Sequence, residues 1–237
     1  MNLKVVGISI NLKQKVGWWL NMNRERMMSD LSTWWQMSED SIRSIMDKVS
    51  FHETAGTRDP KQLQGNDITK PGKGLYQFET GVDGGGATAG NRLVEYIKFI
   101  DGDNAEIPVW LAKHIDKDAG RILDLDATIL NREQQDMLFL ADKRMRKGPK
   151  LGSLKTNEDI ATYWADHHWA GVDHDGDGMI SDTERQDPLY IQKKDTFLGD
   201  MNVYTERRPD AVSGDIIDSL IELDEVDIMS EAINRSQ

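Results

Sequence analysis

Ser38-Glu-Asp-Ser-Ile-Arg-Ser-Ile-Met-Asp-Lys-Val-Ser-Phe-His-Glu-Thr-Ala-Gly56 places Ile42, Ile45, Met46 and Val49 at the three-and-four spacing of one helix face. Ser38 offers a side-chain oxygen to the first free N–H groups, and Glu39 and Asp40 suit the positive end of the helix dipole. Gly56 supplies the stop. Glu53 falls four residues after Val49 and so lies on that same apolar face. A carboxyl there is stripped of water, which disfavours its ionised form and raises its pKa. A general acid is made available near neutral pH in this way. From periodicity alone the position better suits a glutamate that caps the helix or pairs with a neighbouring Lys or Arg.

Outward from this helix the chain is predominantly helical in pattern. Helical spacing recurs at Asn91 to Ile100, at Pro108 to His114 and from Arg132 to Met145, where Met137, Leu138, Leu140 and Ala141 form a face. Thr156-Asn-Glu-Asp159 is a helix start that leads through Ile160, Tyr163 and Trp164 to His167-His168-Trp169. Residues 57 to 90 are rich in Pro and Gly and read as loop, with Gly84-Gly85-Gly86 as a flexible run; no Lys-Ser/Thr follows it, so it is no phosphate cradle. Leu3 to Ile10 is strand-like, and the pairs Trp18-Trp19 and Trp34-Trp35 point to core or interface packing. The expected division is a docking segment at 1–37, a catalytic domain at 38–209 and an acidic amphipathic helix at 210–237.

A second stretch carries its own chemistry. Asp173-His-Asp-Gly-Asp-Gly-Met-Ile-Ser-Asp-Thr-Glu184 sets Asp173, Asp175 and Asp177 at positions one, three and five of a twelve-residue calcium loop. Gly178 makes the sharp turn at position six, the Met179 carbonyl serves at position seven, and Glu184 closes the shell at position twelve. Ile180 suits a short contact that tethers the loop to a core. The expected cofactor is Ca²⁺. The loop has no partner elsewhere in the chain, which makes it a structural clip rather than a paired sensor, and Pro188 follows so soon that the exit helix is expected to be short.

Composition sets limits on function. The chain has 237 residues, 38% of them hydrophobic, and seven Trp, enough to fold around a sizeable core. It has no Cys, so thiol chemistry and disulfides are excluded. With 29 basic against 41 acidic residues the net charge is −12, which opposes sequence-independent nucleic-acid binding. No apolar run approaches the roughly 20 residues of a membrane span, and Met1 to Ile10 has no signal-peptide character. His52-Glu53 does not begin a zinc-protease motif, because Gly56 stands where the second His belongs. His167 and His168 point about 100° apart on a helix and do not easily share one ion.

His52-Glu-Thr-Ala-Gly56, followed by Gly72-Lys-Gly-Leu-Tyr-Gln-Phe78, resembles the signature of the lysozyme-like lytic transglycosylases and phage tail-associated muramidases. Members of that superfamily end a helix in a catalytic Glu followed by Ser or Thr, with a Gly-Ala-x-Gly-Leu-x-Gln segment some twenty residues on. Here Pro71 stands in place of the first Gly and Gly72 in place of Ala. A late stretch, Tyr163-Trp-Ala-Asp-His-His-Trp-Ala-Gly171, echoes the aromatic motif of the same enzymes. The resemblance implies a mainly α, lysozyme-like (α+β) domain with a loop-rich cleft and an inserted EF-hand-type loop. It implies Glu53 as general acid/base, and Thr54, Leu75, Tyr76, Gln77, Tyr163, His167 and His168 as residues of the saccharide cleft. It further implies cleavage of the glycan strands of bacterial peptidoglycan as a component of a phage tail or ejection apparatus acting at the cell wall or periplasm, alongside other virion proteins.

A glycosidase needs a proton donor for the leaving oxygen and stabilisation of oxocarbenium-like charge. Asp67 and Glu79 are the nearest candidates for the second carboxylate of ordinary hydrolysis, but neither stands in a motif. A single Glu, first acid and then base, with the sugar's own 6-hydroxyl closing an anhydro ring, is therefore the expected mechanism. Hydrolytic muramidase activity, or a non-catalytic calcium-stabilised virion protein, is the alternative.

Overall fold

The structure, a computed structural model, describes residues 22–146, 154, 156–168 and 180–207, with the side chains of 167, 168, 206 and 207 left aside. The described residues are mainly helical. In chain order they run α1 (Arg24–Trp35), α2 (Glu39–Glu53), a hairpin of β1 (Gly72–Lys73) and β2 (Phe78–Glu79), α3 (Gly85–Asp101), the single turn α4 (Val109–Ala112), α5 (Arg132–Met145), α6 (Asn157–His168) and α7 (Pro188–Arg207). No described helix is long and apolar enough to cross a membrane. Leu3 to Ile10, Trp18-Trp19 and the acidic stretch 210–237 lie outside the described residues.

α2 forms where the spacing predicts it. The Ser38 side chain accepts from the Ser41 N–H at 3.2 Å, and Ile42, Ile45, Met46 and Val49 are all buried. After Glu53 the chain unwinds through Ala55 and Gly56, both at positive φ, and the Gly56 N–H returns to the Phe51 carbonyl at 2.7 Å. α1 buries Met27, Met28, Leu31 and Trp35 in the same core as the later helices. The described part of 1–37 is therefore built into the domain rather than appended to it. Trp34 stays 44% exposed, with the Arg144 guanidinium stacked 3.7 Å above its ring.

α5 is the centre of the fold. It opens on a capping box in which Asn131 and Gln134 exchange side-chain to backbone hydrogen bonds. Every residue from Gln135 to Lys143 is buried, so the helix is enclosed on all sides and not on the one face its apolar residues outline. Gln135 uses this position to fix the hairpin. Its Oε1 accepts from the Leu75 N–H at 2.7 Å, and its Nε2 donates to the carbonyls of Pro60, Ala127 and Leu130 at 2.8–3.1 Å. Gly74 sits directly against it: a Cβ there would lie 2.4 Å from Gln135 Oε1, and its φ of +76 already favours glycine.

Two elements differ from the sequence reading. The Gly84-Gly85-Gly86 run is not a flexible loop; Gly84 caps α3, and Gly85 and Gly86 form its first turn. A Cβ on Gly86 would stand 2.2 Å from the Leu125 carbonyl oxygen, so here the glycines serve close approach of two backbones. The expected short exit helix is the second: after Glu184 a three-residue 3-10 turn over Glu184–Gln186 leads into a long one. A 20-residue helix then begins at Pro188, where a missing N–H costs nothing. α7 packs on α2 and α6 through Tyr190, Phe197, Met201 and Tyr204.

Replacing Gln135 by Leu takes this partner from the buried Leu75 N–H and from three carbonyls, two of them buried, and a buried group left bare costs about 1–3 kcal/mol. We expect Gln135→Leu to lower stability by at least ~3 kcal/mol, measured by urea unfolding. A change under ~1 kcal/mol would show that the hairpin is held by something else.

Candidate active site

A cleft of about 740 Å³ opens between α2, the hairpin, α5, α6 and α7. Glu53 reaches it from the last turn of α2, Tyr76, Gln77 and Glu79 from the hairpin, Phe139, Asp142 and Lys143 from α5, Trp164 from α6, and Lys193 and Phe197 from α7. The floor is a run of rings interrupted by one cation. His52 meets Phe197 edge-on at 4.6 Å, and Phe197 stacks on Trp164 at 5.5 Å. The Lys143 ammonium lies 5.0 Å from the Trp164 ring and 5.4 Å from that of Phe139. Phe139 then stacks on Tyr76 at 4.3 Å, and Tyr76 meets Phe78 edge-on at 5.9 Å.

Glu53 keeps some surface at the cleft, yet burial dominates its carboxyl and pushes its pKa from 4.5 up to about 8. The Trp164 indole N–H bonded to it, Lys143 and Lys193 all work in the opposite direction and do not offset the lost hydration. At neutral pH Glu53 therefore carries its proton. His52, one residue earlier, is held neutral by burial despite Asp200, whose Oδ2 accepts from its Nδ1 at 2.7 Å. Asp142, at the other end of the scale, is saturated with cations: Arg92, Lys143 and Arg146 all converge on it and hold it far below the ordinary carboxylate range against the effect of its burial.

The structure brings Glu53, Tyr76 and Gln77 to one cleft, but it gives three other expected cleft residues a different place. Thr54 is buried and closes the end of α2, donating from Oγ1 to the Ser50 carbonyl at 2.6 Å and accepting from the Arg58 N–H at 2.7 Å. Leu75 is wholly buried in the core, because the Gln135 contact turns it inward. Tyr163 is 7% exposed in the core, and its neighbour Trp164 is the α6 residue that lines the cleft. The side chains of His167 and His168 lie outside the described set. Tyr76 is itself a structural anchor, donating from its hydroxyl to Asp136 Oδ1 at 2.7 Å. Asp67 does not line the cleft; it accepts from the N–H and hydroxyl of Thr69, which lower its pKa. Glu79 lines it at an exposed position.

Of the calcium loop, Asp173, Asp175, Asp177 and Met179 lie outside the described residues. Among the described residues no group of three potential ligands gathers. Glu184 is buried, and its Oε2 accepts from the N–H and hydroxyl of Ser181, both at 2.8 Å. Described residues on either side of 169–179 are tied together: Ile180 packs with Ala165 and Tyr190, while Asp166 accepts from Arg185 at 2.8 Å and from the Tyr190 hydroxyl at 2.7 Å. No family model, curated protein or solved structure matches this chain.

Sequence reasoning missed Lys143, Lys193 and Phe197. Phe197 left a signal, since Tyr190, Phe197, Met201 and Tyr204 repeat at helical spacing. Lys143 left none.

Because native Glu53 retains a proton that the unfolded chain has lost between about pH 4.5 and 8, it lowers stability progressively as pH rises through that window. Glu53→Gln should leave the melting temperature nearly unchanged at pH 4 and raise it at pH 9, by up to roughly 5 kcal/mol in stability, the linkage value of a shift from 4.5 to about 8. A difference between variant and wild type that stays flat from pH 4 to 9 would count against a raised Glu53.

Proposed function

We propose that the protein cleaves the glycan strands of bacterial peptidoglycan, at the β-1,4 bond from N-acetylmuramic acid to N-acetylglucosamine, as a lytic transglycosylase with Glu53 as acid and base. The observation that carries this reading is a carboxyl held protonated at neutral pH on the wall of a cleft floored by aromatic rings. The rings are buried and stacked on one another, so they fix the cleft wall that carries the acid, and the acid suits a glycosidic oxygen. The motifs Glu53-Thr54 and Gly72 to Gln77, which resemble those of lysozyme-like enzymes, agree with it, and so does the mainly helical architecture. The lysozyme-like fold and the virion tail or ejection setting rest on that resemblance.

In the proposed reaction the Glu53 proton passes to the leaving oxygen as the C–O bond breaks and its electron pair stays with that oxygen. The 6-hydroxyl of the same sugar then closes on the anomeric carbon and returns a proton to Glu53. Of the cleft carboxylates, Asp142 is unsuited to attack or to base work because three cations occupy it. Among the described residues Glu79 is the candidate for a hydrolytic alternative, because it lines the same cleft.

We place Ca²⁺ at Asp173, Asp175, Asp177, the Met179 carbonyl and Glu184. The tied flanks support this role, since they hold the chain before and after the loop together. Bound there, the ion would supply rigidity to the connection between α6, which carries Trp164, and α7, which carries Lys193 and Phe197.

Mass spectrometry of digested murein decides the chemistry: anhydro ends are expected, reducing muramic ends would assign a hydrolase using Glu79, and intact sacculi would remove the enzymatic reading. Glu53→Gln should lower cleavage by at least ~100-fold while the fold persists by circular dichroism. Chelation of calcium should lower the melting temperature, and an unchanged transition would dismiss the ion.

A further inference from the structure

Lys143 is the deepest cation of the cleft, with only 2% of its side chain exposed. A buried ammonium needs a reason, because desolvation favours its neutral form and does lower its pKa here. Neutralising Asp142 is not reason enough. That carboxylate already accepts from Arg92 and from Arg146, so three cations surround one anion and positive charge is left over beneath the cleft floor. Lys143 Nζ lies 3.3 Å from Asp142 Oδ2 and directly under Trp164, whose ring face it approaches and whose N–H is bonded to Glu53. Its charge is felt at the Glu53 carboxyl itself.

We infer that Lys143 is a positioning residue for the proposed acid, its ammonium fixed between Trp164 and Phe139 as the counter-charge that holds the Glu53 carboxylate once the proton has gone to the leaving oxygen. The inference rests on Glu53 being the proton donor. A carboxyl in a dry site gives up its proton only if the resulting anion is met by charge already in place, since water cannot reorganise around it. The other ionisable side chains lining the cleft with Glu53 are His52 on its own helix, Asp142 on α5 and Arg146 just after it, Lys193 on α7, and Tyr76 and Glu79 on the hairpin. Lys193 stands at an exposed position, where solvent screens it more than it screens Lys143. Trp164 does double service: its face holds the cation and its edge orients the acid.

The test is the Glu53 titration, followed by NMR on ¹³C-glutamate protein with Glu53→Gln as the assignment control, in wild type, Lys143→Met and Lys143→Arg. Lys143→Met leaves Asp142 its two arginines and should move the Glu53 titration upward by roughly one pH unit. The alkaline limb of murein cleavage should move with it, and kcat should fall about tenfold with KM nearly constant. Lys143→Arg should keep both near wild type. An unmoved Glu53 titration in Lys143→Met overturns the positioning role even where wild-type protein cleaves murein. A moved titration with no cleavage by wild-type protein overturns the proposed function instead. Should Lys143→Met not fold, the coupling is read from the lysine side: the Lys143 Nζ shift of wild type should carry an inflection at the Glu53 titration that Glu53→Gln removes, and a shift indifferent to Glu53 overturns the role.

Discussion

Enclosure of α5 on every side is the constraint from which the cleft follows. A helix buried all round normally reads as apolar all round, yet this one carries Gln135, Asp136, Asp142 and Lys143 inside. Each must find its partners within the protein, since an unmet polar group in such a place costs more than a typical hydrogen bond contributes. Gln135 finds its partners in the hairpin and two loops, Asp136 in Tyr76 and Arg24, and Asp142 in Arg92, Arg146 and Lys143. The side chains that satisfy α5 are thus the ones that place the cleft wall. Packing and site geometry are set by the same contacts.

Two opposing influences meet at Glu53. Removal from water raises its pKa, and an indole N–H and two lysines lower it; a balance of about 8 means that desolvation wins. A site with the burial but not the cations would hold its proton too firmly to release it, and one with the cations but not the burial would have lost it by neutral pH. Asp142, only one residue before Lys143, shows the other outcome, because there the surrounding cations outweigh burial. Two carboxyls pushed apart in this way by their surroundings are what separates a proton donor from a fixed charge.

Much of the scaffold was legible in the sequence. The Ser38 cap and the Ile42, Ile45, Met46, Val49 face give α2 its bounds, and the Arg132 to Met145 pattern gives α5 its own. Local spacing and capping chemistry determine both. The Gly84-Gly85-Gly86 run misled because glycine's small size and its freedom of φ look identical in sequence, and only the Leu125 backbone opposite reveals that size is what matters. α7 was hidden by polar residues between Tyr190, Phe197, Met201 and Tyr204, although the spacing was present. Within the site, Glu53, Tyr76 and Gln77 were legible as motif and position. Lys143 was not, since a lysine near the end of a helix reads as solvated, and its burial depends on α6 folding over it. The same distant packing exchanges Tyr163 for Trp164 at the cleft.

Charge separates what happens far from the cleft from what happens in it. The chain as a whole carries −12, so its long-range field opposes the approach of an anionic polymer. Inside the cleft, with Glu53 protonated and His52 neutral, the cations Lys143, Arg146 and Lys193 face Asp142 and Glu79 as the anions among the described residues. The local balance is therefore positive by one, and beyond about 8 Å salt screens either field. An anionic strand would be disfavoured on approach and accepted once seated. Under the proposed function, encounter would be enforced by tethering within the proposed assembly rather than by attraction.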